Sequence, residues 1–348
     1  MQQRSLQRGV GLALSAAVLF GVTTPVIARA GVGVGPFATA ATLYGGAALA
    51  AACLRLLSAR HGLALGRAAL PRVLVVALFG ALLAPSLLVW GIGKAGPTPA
   101  SLALNLEAVA TVLLAKAVFG EPIGSRVVAA VLSMLAGASL LVCDVAQRST
   151  PELLGVLAVS AATLAWAIDN TLTRALAEHD PFEVVALKGG FGCVASAVVA
   201  QLRGEPGPSP SQLGVLALCG ALGYGLSLRL YLLAQRRMGA ARTGSVFAVG
   251  PFVGAALAWL LGDRAAGPWT ALGALAFGVG VWLHVSERHR HGHVHAPTEH
   301  EHTHRHDDGH HEHVHNPQVM GEHTHVHRHA ALEHDHEHAP DLHHDHSH

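Results

Sequence analysis

Apolar stretches of about twenty residues recur along this chain, and a helix of that length crosses the roughly 30 Å hydrocarbon core of a bilayer. They lie near 10–29, 36–57, 73–93, 98–119 and 126–143, and again near 153–176, 184–202, 212–235, 243–262 and 269–286. Short connections rich in Gly, Pro and Arg separate them. With 51% hydrophobic and 13% charged residues among 348, the chain is too apolar for an ordinary soluble domain. Glycines scattered through the apolar runs suit helices that approach closely in lipid. The fold class that follows is an all-α integral membrane protein of about ten transmembrane helices.

The first stretch, with Arg4 and Arg8 before it and Ala28-Arg29-Ala30 after it, imitates a cleavable secretory signal. Internal similarity favours a structural helix instead. Ser15 to Ala30 aligns without gaps on Ser160 to Ala175, with six identities in sixteen positions. Phe119-Gly120-Glu121 likewise corresponds to Leu261-Gly262-Asp263. Each copy holds five helices, an odd number, so the second copy enters the membrane from the opposite side and the halves form inverted repeats. The expected organisation is a first repeat over 1–148, a second over 149–288 and a tail over 289–348.

Orientation follows from the cations in the short loops, which are retained on the cytoplasmic side. With a cytoplasmic N-terminus, Arg4, Arg8, Arg55, Arg60, Arg67, Arg72, Arg126, Arg174, Arg236, Arg237, Arg242 and Arg288 mark the inner ends. Arg29, Lys94, Arg148, Arg203 and Arg264 mark the outer ends. Twelve against five places both termini in the cytoplasm of a bacterium, with the body in its inner membrane. Cys53, Cys143, Cys193 and Cys219 fall inside or at the ends of apolar runs, at no metal-finger or redox spacing, and read as small helix-packing residues.

The two copies resemble the EamA-type drug/metabolite transporters over about residues 9–287. Phe20-Gly21 and Trp166-Ala167 in the first helix of each copy carry the resemblance, with Arg29 and Arg174 closing those helices. Gly120-Glu121 in the fourth helix and Gly250-Pro251 with Gly262-Asp263 in the ninth complete it. Departures are Phe for Trp at 20, Ala for Gly at 167 and Asp for Glu at 263. The resemblance implies secondary transport of a small metabolite or drug-like solute by alternating access. No phosphate-binding GxxxxGK loop is present, so the driving force would be an ion or solute gradient. The helices contain no triad, His-Glu metal motif or paired catalytic carboxylates, so an enzyme is not expected, nor is a nucleic-acid partner.

Ionisable side chains inside a bilayer are costly and persist mainly where they face a cavity or a partner. Glu107, near the middle of the fourth helix and two positions from Asn105, reads as a proton-binding carboxylate or solute ligand, or else as one end of an interhelical hydrogen bond or ion pair. Asp169 and Asn170 occupy positions that the first copy fills with Thr24 and Pro25. They line a cavity, or Asp169 pairs with Lys188 of the seventh helix. Lys188, about one turn inside the seventh helix, and Arg229, two turns before Arg236 and Arg237, are further cavity candidates, with snorkelling as the alternative for both. Lys116 reads as an interfacial anchor, and Trp90, Trp259, Trp269 and Trp282 as belt or packing residues. Pro25, Pro85 and Pro251 interrupt helices and could open backbone groups toward a cavity, or simply kink them.

The tail holds 23 of the 26 histidines, and with three arginines against eleven acids carries −8 while the remainder of the chain carries +9. It is duplicated over 289–315 and 323–348. His289, His291, His293, His295, His300, His302 and His304 return 34 positions later as His323, His325, His327, His329, His334, His336 and His338. His310, His311, His313 and His315 return 33 positions later as His343, His344, His346 and His348. Alternating imidazoles in an extended chain share one side and suit nickel, zinc, cobalt or copper, in many weak sites along a disordered segment. A pH-responsive or uncommitted tail competes with that reading. Metal on the tail leaves open whether the cargo is a small organic solute or a divalent metal, and whether the protein transports or only senses and stores metal. Monomer and homodimer both remain open.

Overall fold

The structure is a computed structural model, and it describes residues 2–57, 65–66, 69–120, 123–173, 176, 179–238, 240–264, 266–286, 290–295, 299–304, 323–328 and 332–337. The chain divides into a helical unit over residues 1–287 and a strand unit over 288–339.

In the helical unit, eight of the described helices are long and apolar enough to cross a membrane: Gln7–Ala30, Pro36–Leu56, Leu70–Ala95, Pro97–Val118, Ser125–Ala146, Thr150–Thr173, Pro181–Leu202 and Pro210–Gln235. Two shorter helical units complete the order, a ninth in two pieces, Ala240–Phe247 and Gly250–Leu260, and a tenth, Pro268–Val285. The second, fourth, seventh, eighth and tenth open on Pro, whose fixed φ suits a first turn and whose missing N–H is no loss there. The fourth closes on Gly120 at φ 69°, whose N–H returns to the Lys116 carbonyl.

Contacts between these helices obey an exchange rule. The first packs on the eighth and ninth, and the sixth packs on the third and fourth; the second packs on the seventh and the fifth on the tenth. Moving every helix five places along the chain leaves the pattern unchanged, as two interlocked repeats require. Small residues permit the approach. A Cβ on Gly137 of the fifth helix would stand 2.8 Å from the Gly273 carbonyl of the tenth.

Four helices are interrupted at matching places in the two halves. The third has a π-helical turn, Leu78–Leu83, between Leu70–Ala77 and Ala84–Ala95, and the eighth has one, Gly220–Leu226, between Pro210–Cys219 and Ser227–Met238. The fourth breaks between Pro97–Ala103 and Leu106–Phe119, and the ninth between Phe247 and Gly250. Sequence reasoning places interruptions at prolines. Pro85 and Pro251 do open the helical pieces that resume, but the first helix runs unbroken through Pro25. The fourth and ninth helices, expected as single spans, are therefore broken ones.

In the strand unit, β1 (Arg290–His295) pairs antiparallel with β4 (Leu332–Glu337), and β2 (Glu299–His304) with β3 (His323–Arg328). The expectation of a tail without regular structure does not extend to these four segments. The alternation of His-x-His has the period of two that an extended strand requires. Each pair joins one copy of the duplicated tail to the other.

Candidate functional site

The interruptions surround a cavity in the helical unit. On the eighth helix Gly223, Tyr224, Ser227, Leu228 and Tyr231 share one face, at spacings of one, three and four residues. The sixth contributes Trp166, Asp169 and Asn170 by the same spacing. Phe20, Tyr44, Glu107, Lys188 and Phe247 close the wall from the first, second, fourth, seventh and ninth helices. The empty space is about 550 Å³ with its mouth included, and both halves of the chain line it.

Glu107 stands in the first turn of the helical piece that resumes after the break at Leu104 and Asn105. The positive end of that half-helix therefore lies beside a carboxylate inside the unit. Its Oε1 accepts a hydrogen bond of 2.7 Å from Asn170 Nδ2. Asp169 forms an ion pair with Lys188, both side chains being buried, and its Oδ1 accepts from Thr173 Oγ1 at 3.2 Å. Two charges removed from water cost several kcal/mol each, which their mutual attraction offsets only at close range. Asp169 also lies against Gly80, where a Cβ would meet Oδ2.

The π-helical turn of the third helix has a visible use. Such a turn disrupts the regular i to i−4 ladder. The Gly80 carbonyl within it accepts from Trp166 Nε1 at 3.0 Å and also from the Tyr44 hydroxyl. Aromatic rings then pack on one another: Phe20 lies 5.9 Å from Trp166, 5.8 Å from Tyr224 and 5.4 Å from Phe247, and Tyr231 lies 5.1 Å from Phe247. These are edge-to-face and tilted contacts of the favourable kind.

Of the residues singled out from sequence, Glu107, Asp169, Asn170 and Lys188 meet at this cavity, while Asn105 and Arg229 are not among its lining residues. Asn105 is buried in the break of the fourth helix, where Nδ2 donates to the Leu102 carbonyl at 3.0 Å. Arg229 lies two positions from both Ser227 and Tyr231, nearly the opposite side of a helix, and its guanidinium covers the Phe182 ring at 4.4 Å. Lys116 is exposed in the last turn of its helix, and Trp90, Trp259, Trp269 and Trp282 are exposed as well.

Sequence reasoning missed Tyr44, Tyr224, Tyr231, Phe247 and Ser227. The spacing of Tyr224, Ser227 and Tyr231 was the available signal, since one helix face there repeats polar-tipped residues. Asp144 was missed too. It accepts from the Gly267 amide at 3.0 Å and the Thr270 hydroxyl at 2.5 Å, and pairs with Arg148, tying the fifth helix to the tenth.

For the tail, the structure gives backbone register. His291 and His293 stand opposite His336 and His334, and His300, His302 and His304 opposite His327, His325 and His323. His295 pairs with Leu332. His289, His310, His311, His313, His315, His329, His338, His343, His344, His346 and His348 lie outside the described residues, as does Arg174.

The sequence profile of the EamA-like transporter family matches this chain twice, over residues 7–143 and 153–286. An uncharacterized transporter of Methanothermobacter thermautotrophicus is 26% identical over 195 residues, which are 54% of this chain and 57% of that relative. The match thus spans just over half the length of that relative. A protein of known crystal structure, 20% identical, superposes with a TM-score of 0.60 over 79% of this chain and 94% of its own, a likeness of fold.

Proposed function

Because this chain belongs to the EamA-like transporter family, we propose that it is a secondary transporter that carries a small organic solute across a bacterial inner membrane by alternating access. The reading takes the halves 1–148 and 149–288 as the two repeats, both termini as cytoplasmic, and the tail as a metal-binding appendage. The observation that carries it is a cavity lined from both halves, with the carboxylate of Glu107 facing it beside a broken helix. In this reading Glu107 exchanges its charge for a proton or a solute during the cycle. Asp169, Lys188, Asn170 and Tyr231 are its polar neighbours in the wall.

A divalent metal as cargo is favoured by the histidine tail and disfavoured by the cavity. Among the described residues the wall offers two carboxylates, one already paired with Lys188, and no His or Cys, whereas transition metals take imidazole and thiolate. Among the described residues no group of three or more His, Cys, Asp or Glu is placed to hold a metal.

Flux in proteoliposomes tests the reading. Glu107→Gln keeps shape and hydrogen bonding while removing the charge. It should insert and fold normally yet lose proton-driven flux by at least about tenfold, the loss of one to two kcal/mol of a charged contact. Normal flux with unchanged pH dependence would overturn the role given to Glu107.

A further inference from the structure

We infer that the solute of this cavity is an organic cation with an apolar body, held between the Glu107 carboxylate and the aromatic wall. The inference rests on the transport reading for the place where solute binds, and adds the chemistry of what binds there.

Two observations carry it. The first is the commitment of the donors. Trp166 Nε1 and the Tyr44 hydroxyl both donate to the Gly80 carbonyl, Ser227 Oγ donates to the Ala16 carbonyl at 2.8 Å, Asn170 Nδ2 donates to Glu107, and the Lys188 ammonium is engaged by Asp169. Trp166, Tyr44 and Ser227 each have a single proton to give, so a solute carboxylate or phosphate would have to displace a protein acceptor from them and leave it buried without its partner; what such an anion could reach directly are the spare N–H groups of Lys188 and Asn170 and the hydroxyls of Tyr224 and Tyr231. Asp169 and Lys188 cancel in charge. Glu107, whose described partner is a neutral amide, leaves the wall with an excess negative charge.

The second observation is the wall itself. Aromatic residues are 5% of the chain, yet Phe20, Tyr44, Trp166, Tyr224, Tyr231 and Phe247 all line this space, including every one of the three tyrosines. Rings present a negative quadrupole to a cation within about 6 Å of their centres, and the attraction grows when water is excluded. Their apolar area also takes up the body of an organic solute. A hydrated metal ion gains little from such a wall, whereas an alkyl or aryl ammonium matches both of its features.

The test uses full-length protein in nanodiscs and three compounds of one shape class: phenyltrimethylammonium, which is permanently charged, its neutral isostere tert-butylbenzene, and the anion benzenesulfonate. Phenyltrimethylammonium should bind, and each of the others should bind at least about tenfold more weakly. Glu107→Gln should weaken the cation by about tenfold or more, and Tyr231→Leu by several-fold, with little effect on the neutral compound. Glu107→Asp, which keeps the charge, should retain much of the affinity and guards against a Gln variant that fails to fold. No binding of the cation, equal binding of benzenesulfonate, or wild-type affinity in a folded Gln variant would overturn the inference. Counterflow in vesicles of the same protein separates the two claims. Cation binding without flux of any solute sinks transport and leaves the site standing. Counterflow of anionic or neutral solutes without cation binding does the reverse.

Discussion

A lysine and an aspartate that neutralise each other away from water are worth little as a pair and much as a constraint. Removing Lys188 alone strands the Asp169 charge against Gly80 and the aromatic wall, and an unpaired buried charge costs about 3–5 kcal/mol. Lys188→Met should therefore lower the melting temperature of the purified protein sharply. Adding Asp169→Asn to Lys188→Met should recover most of the loss, and a double variant no more stable than the single one would show that the pair does not act as a unit. These two residues were legible in the sequence, with Glu107 and Asn170, because an ionisable or amide side chain stands out in an apolar run. Of the rings beside them, Phe20 and Trp166 stood out as carriers of the family resemblance but not as cavity wall, and the others did not stand out, since a Phe or Trp in a membrane helix has the same appearance whether it faces lipid, core or cavity. Arg229 shows the converse. Its charge drew attention, but its position on the helix, two residues from Ser227 and Tyr231, decided its surroundings.

Helices in this unit meet through glycine, and the approach is tightest where the second helix crosses the π-helical turn of the eighth. A Cβ on Gly220 would stand 1.9 Å from the Leu43 carbonyl, a backbone atom that no rotamer can move. Gly220→Ala should reduce the folded, monodisperse yield, whereas Gly93→Ala, with nothing within 4 Å, should not; equal yields of the two would remove the packing argument. The helices themselves were legible from apolar length, and the structure adds that five of them open on Pro. The interruptions were only half legible. Pro85 and Pro251 mark where helices resume, but the π-helical turns lie at Gly80 and at Gly220, Gly223 and Gly225, where glycine serves close packing as readily as irregular backbone. In the tail, the alternation of histidine has the period of two that a strand uses, but neither the strands nor the partner of each was read from it. Full-length protein should bind several nickel or zinc ions that a chain truncated after residue 288 does not, as measured by equilibrium dialysis. Equal binding by the two proteins would leave the tail uncommitted.

Across the whole helical unit, bonds between distant loops sort themselves by side. Arg29 donates to the Leu261 carbonyl, the Thr98 amide to Asp263, the Phe37 amide to Glu205, Gln212 to the Val32 carbonyl and the Gly267 amide to Asp144. Arg55 meets Asp180 and Glu183, and Arg126 donates to the Ser286 carbonyl. Ten alternating crossings put every member of the first set on one face and every member of the second on the other. One crossing fewer would make some of these bonds span the bilayer. The duplication in the sequence already implied this arrangement through the odd number of helices per copy, and the exchange rule in the helix contacts agrees with it. In the orientation proposed above, the face richer in Arg is the cytoplasmic one. Reporter fusions after residues 67, 148 and 348 should therefore report cytoplasm, periplasm and cytoplasm in that order. A shared location for 67 and 148 would break the count of crossings, because three helices lie between them. A periplasmic signal at 348 with the alternation intact would instead invert the molecule, and would carry the histidine tail out of the cytoplasm with it.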